Sequence, residues 1–174
     1  MNLQPWQNFY MLTGGAAATL TGLMFVAVTF GARLVSKAAT DVARAFLDPI
    51  VFHFVHVFLI SCWMLLPAVH QWLLAPLLFA LGAGRMAGLW WVTRRLLIAH
   101  RTHQDLAFSD WAIYVLAPNV CYATQLFAAV CVHQGAESGL LALAATTLLL
   151  LVVAIVGAWE LLVWIAQQEL SDSK

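Results

Sequence analysis

GLLALAATTLLLLVVAIVGAWELLVWI, residues 139–165, carries a single charged side chain, Glu160. At 1.5 Å per residue the stretch extends about 40 Å as an α-helix, enough to cross a hydrocarbon core about 30 Å thick with some tilt. Its apolar character is continuous and lacks the alternation of two that marks a barrel strand. In lipid such a segment must satisfy its backbone hydrogen bonds internally, and only a helix does so. Working outward, four further runs read the same way, at about 9–32, 49–66, 72–93 and 111–132, the second barely long enough to cross. The predicted fold is all-α: one transmembrane helical bundle of five spans, a single domain over residues 1–174.

The whole composition agrees. Of 174 residues, 63% are hydrophobic and 9% charged, against about 25% charged in soluble domains, and the mean hydropathy is +0.88. Eight Lys and Arg balance eight Asp and Glu, so no basic surface points to nucleic acid; the partners expected are membrane lipids and other membrane-embedded chains. No internal repeat divides the chain. The opening MNLQPWQNFY lacks a basic n-region, and the apolar stretch after it is too long for a signal-peptide core, so no cleavage is expected.

Local signals set the predicted ends. Asp48 before Pro49 suits an N-cap and first helical position, and Ser109 with Asp110 suits another cap. Gly135 is expected to end the fourth span in a left-handed C-cap, leaving Gln134 to Ser138 as a tight turn. Pro67 closes the second span, and Pro76 falls in the first turn of the third, where a missing N–H matters least. RRLLIAHRTHQDLAFS, residues 94–109, reads as an amphipathic extension of the third helix, its basic residues favouring anionic headgroups.

Orientation follows from the basic side chains, which cytoplasmic loops concentrate. Five crossings place Arg33, Lys37, Arg44, Arg94, Arg95, Arg101 and Lys174 on one side, while the opposite turns contain neither Lys nor Arg. The N-terminus is thus expected outside and the C-terminus in the cytoplasm. Trp6, Trp63 and Trp72 fall near the outer interface, and Trp90, Trp91, Trp111 and Trp164 near the inner one, as aromatic belts do.

Charges within a bilayer are costly and face protein or water. Arg85 and Glu160 sit at matching depth, each roughly 9 to 12 Å from the cytoplasmic boundary, and an Arg85–Glu160 ion pair is the predicted contact, with Gly84, Gly88 and Gly157 leaving room for the two helices to meet. His53 and His56 share a face of the second helix. Pro118 is expected to free the carbonyl of Tyr114, with Asn119 able to hydrogen-bond at the kink. Together these residues form one polar layer in the cytoplasmic half, read as a buried network that fixes packing register. The alternative is a hydrated proton or ion relay.

Small residues recur every four positions at Gly14, Ala18 and Gly22 and at Ala80, Gly84 and Gly88. Such stripes let helix backbones approach closely in lipid, here within one chain or between copies. Three cysteines are too few for a disulfide scaffold and lack zinc-site spacing; they read as small apolar fillers, with a Cys62–Cys131 bridge as the alternative their depths allow. No cofactor is expected. Haem would need histidines facing each other from two helices, and His53 and His56 share one. His100, His103 and Asp105 make a single cluster, short of a metal site. No H-E-x-x-H, G-x-S-x-G or phosphate-binding glycine loop is present, so neither a metal ligand set nor a catalytic residue is expected.

The first span, Gly14-Gly15-Ala16-Ala17-Ala18-Thr19-Leu20-Thr21-Gly22-Leu23-Met24-Phe25-Val26-Ala27-Val28, preceded by Trp6 and Phe9, resembles the first helix of a group of small, functionally uncharacterised bacterial inner-membrane proteins. The stretch from Arg44 to Pro67 resembles the segment after that helix in the same group. The resemblance covers about the first third of the chain. It implies a multi-pass inner-membrane location and brings no catalytic residues. The expected role is non-enzymatic: an accessory or interaction protein assembling with itself or another membrane protein through small-residue faces. The alternative is a small homo-oligomeric channel or transporter using His53, His56, Arg85, Asn119 and Glu160.

Overall fold

A computed structural model describes residues 3–31, 37–67, 71–100 and 116–172. Among them there are five α-helices and no strand: α1 (Gln7–Gly31), α2 (Lys37–Leu65), α3 (Gln71–His100), α4 (Ala117–His133) and α5 (Glu137–Asp172). A 3₁₀ turn, Gln4–Trp6, leads into α1. Three segments are long and apolar enough to cross a membrane: Gln4–Thr29, Trp72–Trp90 and Glu137–Val163. Pro49–Leu65 is a shorter apolar stretch within α2.

Two proline expectations need correction. α2 begins at Lys37, so Pro49 is interior and Asp48 is no N-cap. The preceding KAATDVARAFLD is rich in alanine, a strong helix former, and the helix continues through the proline at the loss of one backbone bond. α3 begins at Gln71, which puts Pro76 inside the helix rather than in its first turn. Pro118, by contrast, falls at the start of α4, where no N–H is missed; the carbonyl of Tyr114 lies outside the described residues. So do the Ser109–Asp110 cap, the beginning of the fourth span from Trp111 and residues 101–109 of the predicted extension.

The turn between α4 and α5 forms as its sequence requires. Gly135 adopts φ 75°, a left-handed conformation that costs glycine little. Its N–H bonds the carbonyl of Val132 at 3.0 Å, and the N–H of Ala136 bonds that of Cys131 at 2.9 Å, the paired pattern of a Schellman C-cap. The turn is shorter than predicted, because α5 starts at Glu137. Gly139 then lets the two helices touch: a Cβ there would stand 2.8 Å from Cys131 Cβ and 2.9 Å from the Val132 nitrogen.

α1 packs along α2, α2 along α5, α5 along α4 and α4 along α3, with lighter contacts between α1 and α5 and between α2 and α3. Three apolar clusters fill the bundle from end to end. Tyr10, Ile60, Met64, Leu78 and Leu143 belong to the first, Ala17, Val57, Tyr122 and Leu150 to the second, and Met24, Ile50, Phe54, Ala154 and Leu161 to the third. Elsewhere the surface is apolar, with Phe25, Trp72, Trp90, Phe127, Leu141 and Trp159 all more than half exposed. A soluble monomer rarely shows so much continuous apolar surface. In lipid it has no such penalty, and the helices associate through close packing and internal hydrogen bonds.

Candidate functional site: a polar layer inside the bundle

The histidines of α2 find their partners on α4. His53 Nδ1 lies 2.7 Å from the Tyr122 hydroxyl, and His56 Nε2 lies 2.6 Å from Gln125 Oε1. Both pairs are 69 positions apart in sequence, so α2 and α4 run parallel and matching i, i+3 faces meet. All four side chains are buried, with Tyr122 and Gln125 at 0% exposure.

The network has a definite sense. Gln125 Nε2 donates to the Leu78 carbonyl on α3 at 2.9 Å, which leaves its Oε1 to accept from the ring N–H of His56. Arg85 Nε donates to the Tyr122 hydroxyl at 3.5 Å, a long contact. The hydroxyl can donate its own O–H to an unprotonated His53 Nδ1. The His56 ring also meets Tyr122 edge-on at 5.0 Å. α3 approaches closely enough for this because of Gly82, whose added Cβ would stand 3.2 Å from Leu126 and 3.3 Å from Gln125 Nε2.

A second buried group sits further along α1, α2 and α5. Thr13 Oγ1 and Ser61 Oγ are 3.2 Å apart, brought together by Gly14, where a Cβ would fall 2.7 Å from Ser61 Cβ. Thr147 bonds back to the Leu143 carbonyl at 2.8 Å. Three buried polar atoms have no hydrogen-bond partner among the described residues: Tyr10 Oη, His56 Nδ1 and Thr146 Oγ1.

The predicted layer is therefore brought together at its centre and differs at its edges. His53 and His56 are in it, and Asn119 lies half-buried one turn before Tyr122. Arg85 is also half-buried, but it faces α2 and α4, with its guanidinium 4.6 Å from the Phe52 ring centre and 5.8 Å from that of Tyr122. Glu160 is exposed on α5. The predicted Arg85–Glu160 pair is not among the contacts described for Arg85. Matching depth does not make the helices neighbours: α3 packs on α4, and α5 packs on α4, α2 and α1.

The small residues divide between the inside and the outside of the bundle. Gly14 is an internal contact and Gly157 is buried on α5, away from α3. Ala18, Gly22, Ala80, Gly84 and Gly88 are exposed, and Gly22, Gly84 and Gly88 have open space where a Cβ would stand. The glycines that permit close packing on α4, Gly82 and Gly139, lie outside the predicted stripes. Cys62, Cys121 and Cys131 are all free thiols, so the Cys62–Cys131 bridge does not form. Tyr122 escapes a reading of the sequence because a tyrosine in an apolar run passes as an interfacial aromatic. A signal exists in its spacing, since Tyr122 and Gln125 repeat the interval of His53 and His56.

Among the described residues no group of three or more His, Cys, Asp or Glu side chains converges as metal ligands would. The His100, His103 and Asp105 cluster lies outside the described side chains. No protein-family model, curated protein or solved structure matches the chain.

Proposed function

We propose that this chain is a multi-pass protein of the bacterial cytoplasmic membrane that serves as a non-enzymatic accessory or interaction protein, assembling with itself or another membrane protein. Its five helices are five spans, with the N-terminus outside and the C-terminus in the cytoplasm. The observation that carries the reading is how polar and small residues are divided. His53, His56 and Gln125 are each no more than 5% exposed inside a single chain, where they lock α2, α4 and α3 in register. The small residues Ala18, Gly22, Ala80 and Gly84 face outward, where a neighbouring helix backbone would fit against them. A shallow groove lined by Met11, Leu12, Gly15, Ala16 and Thr19 continues that surface along α1.

A conduction path along the polar layer is less well supported, because side chains closed off within one subunit cannot line a lumen between subunits. For the crossings, support comes from helix direction. α1 and α2 are antiparallel, since Tyr10 clusters with Ile60 and Met64 while Met24 clusters with Ile50 and Phe54; α2 and α4 are parallel, and α3 and α4 are antiparallel, 78 meeting 125 and 85 meeting 122. Lys37 at the start of α2 and the Arg94–Arg95 end of α3 then belong to one side, as basic loops should.

Detergent-corrected mass tests the assembly. The wild-type chain is expected as a dimer or larger, and the Gly22→Leu/Gly84→Leu double variant as a folded monomer, since both sites have room for a side chain. A wild-type chain that is monomeric in detergent and also in nanodiscs, with no copurifying membrane partner, would overturn the reading.

A further inference from the structure

We propose that copies of this chain assemble head-to-tail, the outward face of α3 on one copy receiving the outward face of α5 on the next, with Arg94 and Arg95 at the level of Glu160. The inference rests on the self-assembly proposed above and names the surfaces that meet.

Charge separates the two helices. α3 contains Arg85, Arg94 and Arg95 and no acidic residue, whereas α5 contains Glu137, Glu160, Glu169 and Asp172 and no basic one. Within one chain they are not packed partners: α3 packs on α4, and α5 packs on α4, α2 and α1.

The contacts with α4 set their relative level. Gln125 on α4 reaches Leu78 and Gly82 on α3, so it lies level with about Ala80. Cys131 on α4 lies against Gly139 of α5. Both neighbours run antiparallel to α4, so stepping from Cys131 back to Gln125 carries α5 from Gly139 to about Ala145. Ala80 and Ala145 thus share a level, and about fifteen residues further along each helix stand Arg95 and Glu160. Counted through these contacts rather than from the ends of the apolar runs, Glu160 is level with Arg94 and Arg95. Copies related by an axis along the membrane normal keep every residue at its depth, so level residues are the ones that meet.

Both sets lie on outward faces. Ala80, Gly84 and Ala87 are exposed, and Gly84 has open space where a Cβ would stand. Arg94 comes about two turns after Ala87 and Arg95 about three turns after Gly84, so both positions continue that face. On α5, Glu160 is exposed, and Leu149, Val152 and Trp159 are 44%, 54% and 69% exposed. Leu149 and Val152 fall level with Gly84 and Ala87, large side chains opposite small ones, as close packing in lipid favours. Like faces repel: α3 against α3 sets Arg94 and Arg95 against their own copies, and α5 against α5 sets Glu160 against Glu160. The contact is therefore heterologous, and it closes a ring where the rotation per copy permits.

Disulfide cross-linking of the full chain in membranes tests it. Two differently tagged copies, Ala87→Cys and Val152→Cys, each in a Cys62→Ser background, are coexpressed and oxidised. The mixed dimer is expected in excess over both homodimers, and a chain bearing both cysteines should give a ladder of higher oligomers. Glu160→Lys should slow the mixed cross-link about tenfold, and Arg94→Glu/Arg95→Glu on the other copy should restore it. Should Glu160→Lys fail to fold, Glu160→Gln, expected to slow it about threefold, takes its place. Homodimers without the mixed product, or a mixed product indifferent to the charge at 160, overturn the proposal and leave self-assembly standing. A wild-type chain that stays monomeric in nanodiscs overturns both.

Discussion

Replacing Gln125 by leucine isolates the contact at the centre of the bundle. The substitution roughly keeps volume, so little cavity forms, but it strands the His56 ring N–H that Gln125 Oε1 accepts at 2.6 Å. His56 is 2% exposed and its other ring nitrogen already has no described partner; no water-facing alternative is at hand. A buried donor left unpaired costs about 1 to 3 kcal/mol, while hydrogen bonds between membrane helices average about 0.6 and reach about 1.7. Loss of the Nε2 bond to the Leu78 carbonyl adds a smaller amount, because that carbonyl belongs to a helix. Gln125→Leu is therefore expected to destabilise by about 2 kcal/mol. His56→Phe strands the Gln125 oxygen and should cost a comparable amount. The double variant removes both partners and should cost less than the sum by about 1 to 1.5 kcal/mol. Reversible unfolding in mixed micelles, followed by tryptophan fluorescence, gives all four corners of the cycle. Strictly additive costs would refute the claim that this bond holds α2 against α4.

The glycines give sharper contrasts. Gly139→Val forces a side chain into Cys131 and the α4 backbone and should cost about 1 to 3 kcal/mol, as overpacking does, whereas Gly84→Val on the open face of α3 should leave monomer stability within about 0.5 kcal/mol; thermal melting separates them. Gly135→Ala places a Cβ at φ 75° and should lower stability by about 1 to 2 kcal/mol, read by the same melt. Tyr122→Phe removes the hydroxyl that links His53 to Arg85; it should cost about 1 to 2 kcal/mol and remove most of the further cost of His53→Leu. Mass analysis after alkylation without reductant should find all three cysteines modified in denaturant, in keeping with their free thiols.

What the sequence discloses here is axial, and what it hides is angular. The apolar runs mark the helices, and glycine at 135 marks the turn, because each depends on local composition. The depth of His53, His56 and Asn119 can be counted in steps of 1.5 Å from the ends of their runs, and these residues do fall in one stratum. Which helix faces which is decided by packing of the whole bundle, and no single run records it. Depth alone matches Arg85 with Glu160, while the contacts described for Arg85 are with Phe52 and Tyr122. The stripe at Ala80, Gly84 and Gly88 suggests the packing face of α3, yet Leu74, Leu78 and Gly82 form it. A repeat of small residues marks where a helix can approach another; it does not say that the partner lies in the same chain. Proline at 49 misleads for a related reason: an interior proline costs a helix about 3 kcal/mol, and the packing of α2 along α1 and α5 offsets it.

A chain embedded in lipid with its ends on opposite sides is the central claim, and paired reporters test it most directly. A periplasm-active enzyme and a cytoplasm-fluorescent protein are each fused in turn to either terminus and expressed in a bacterium. The expected result is periplasmic activity from the N-terminal fusion and fluorescence from the C-terminal one. Both termini reporting the same compartment would contradict it.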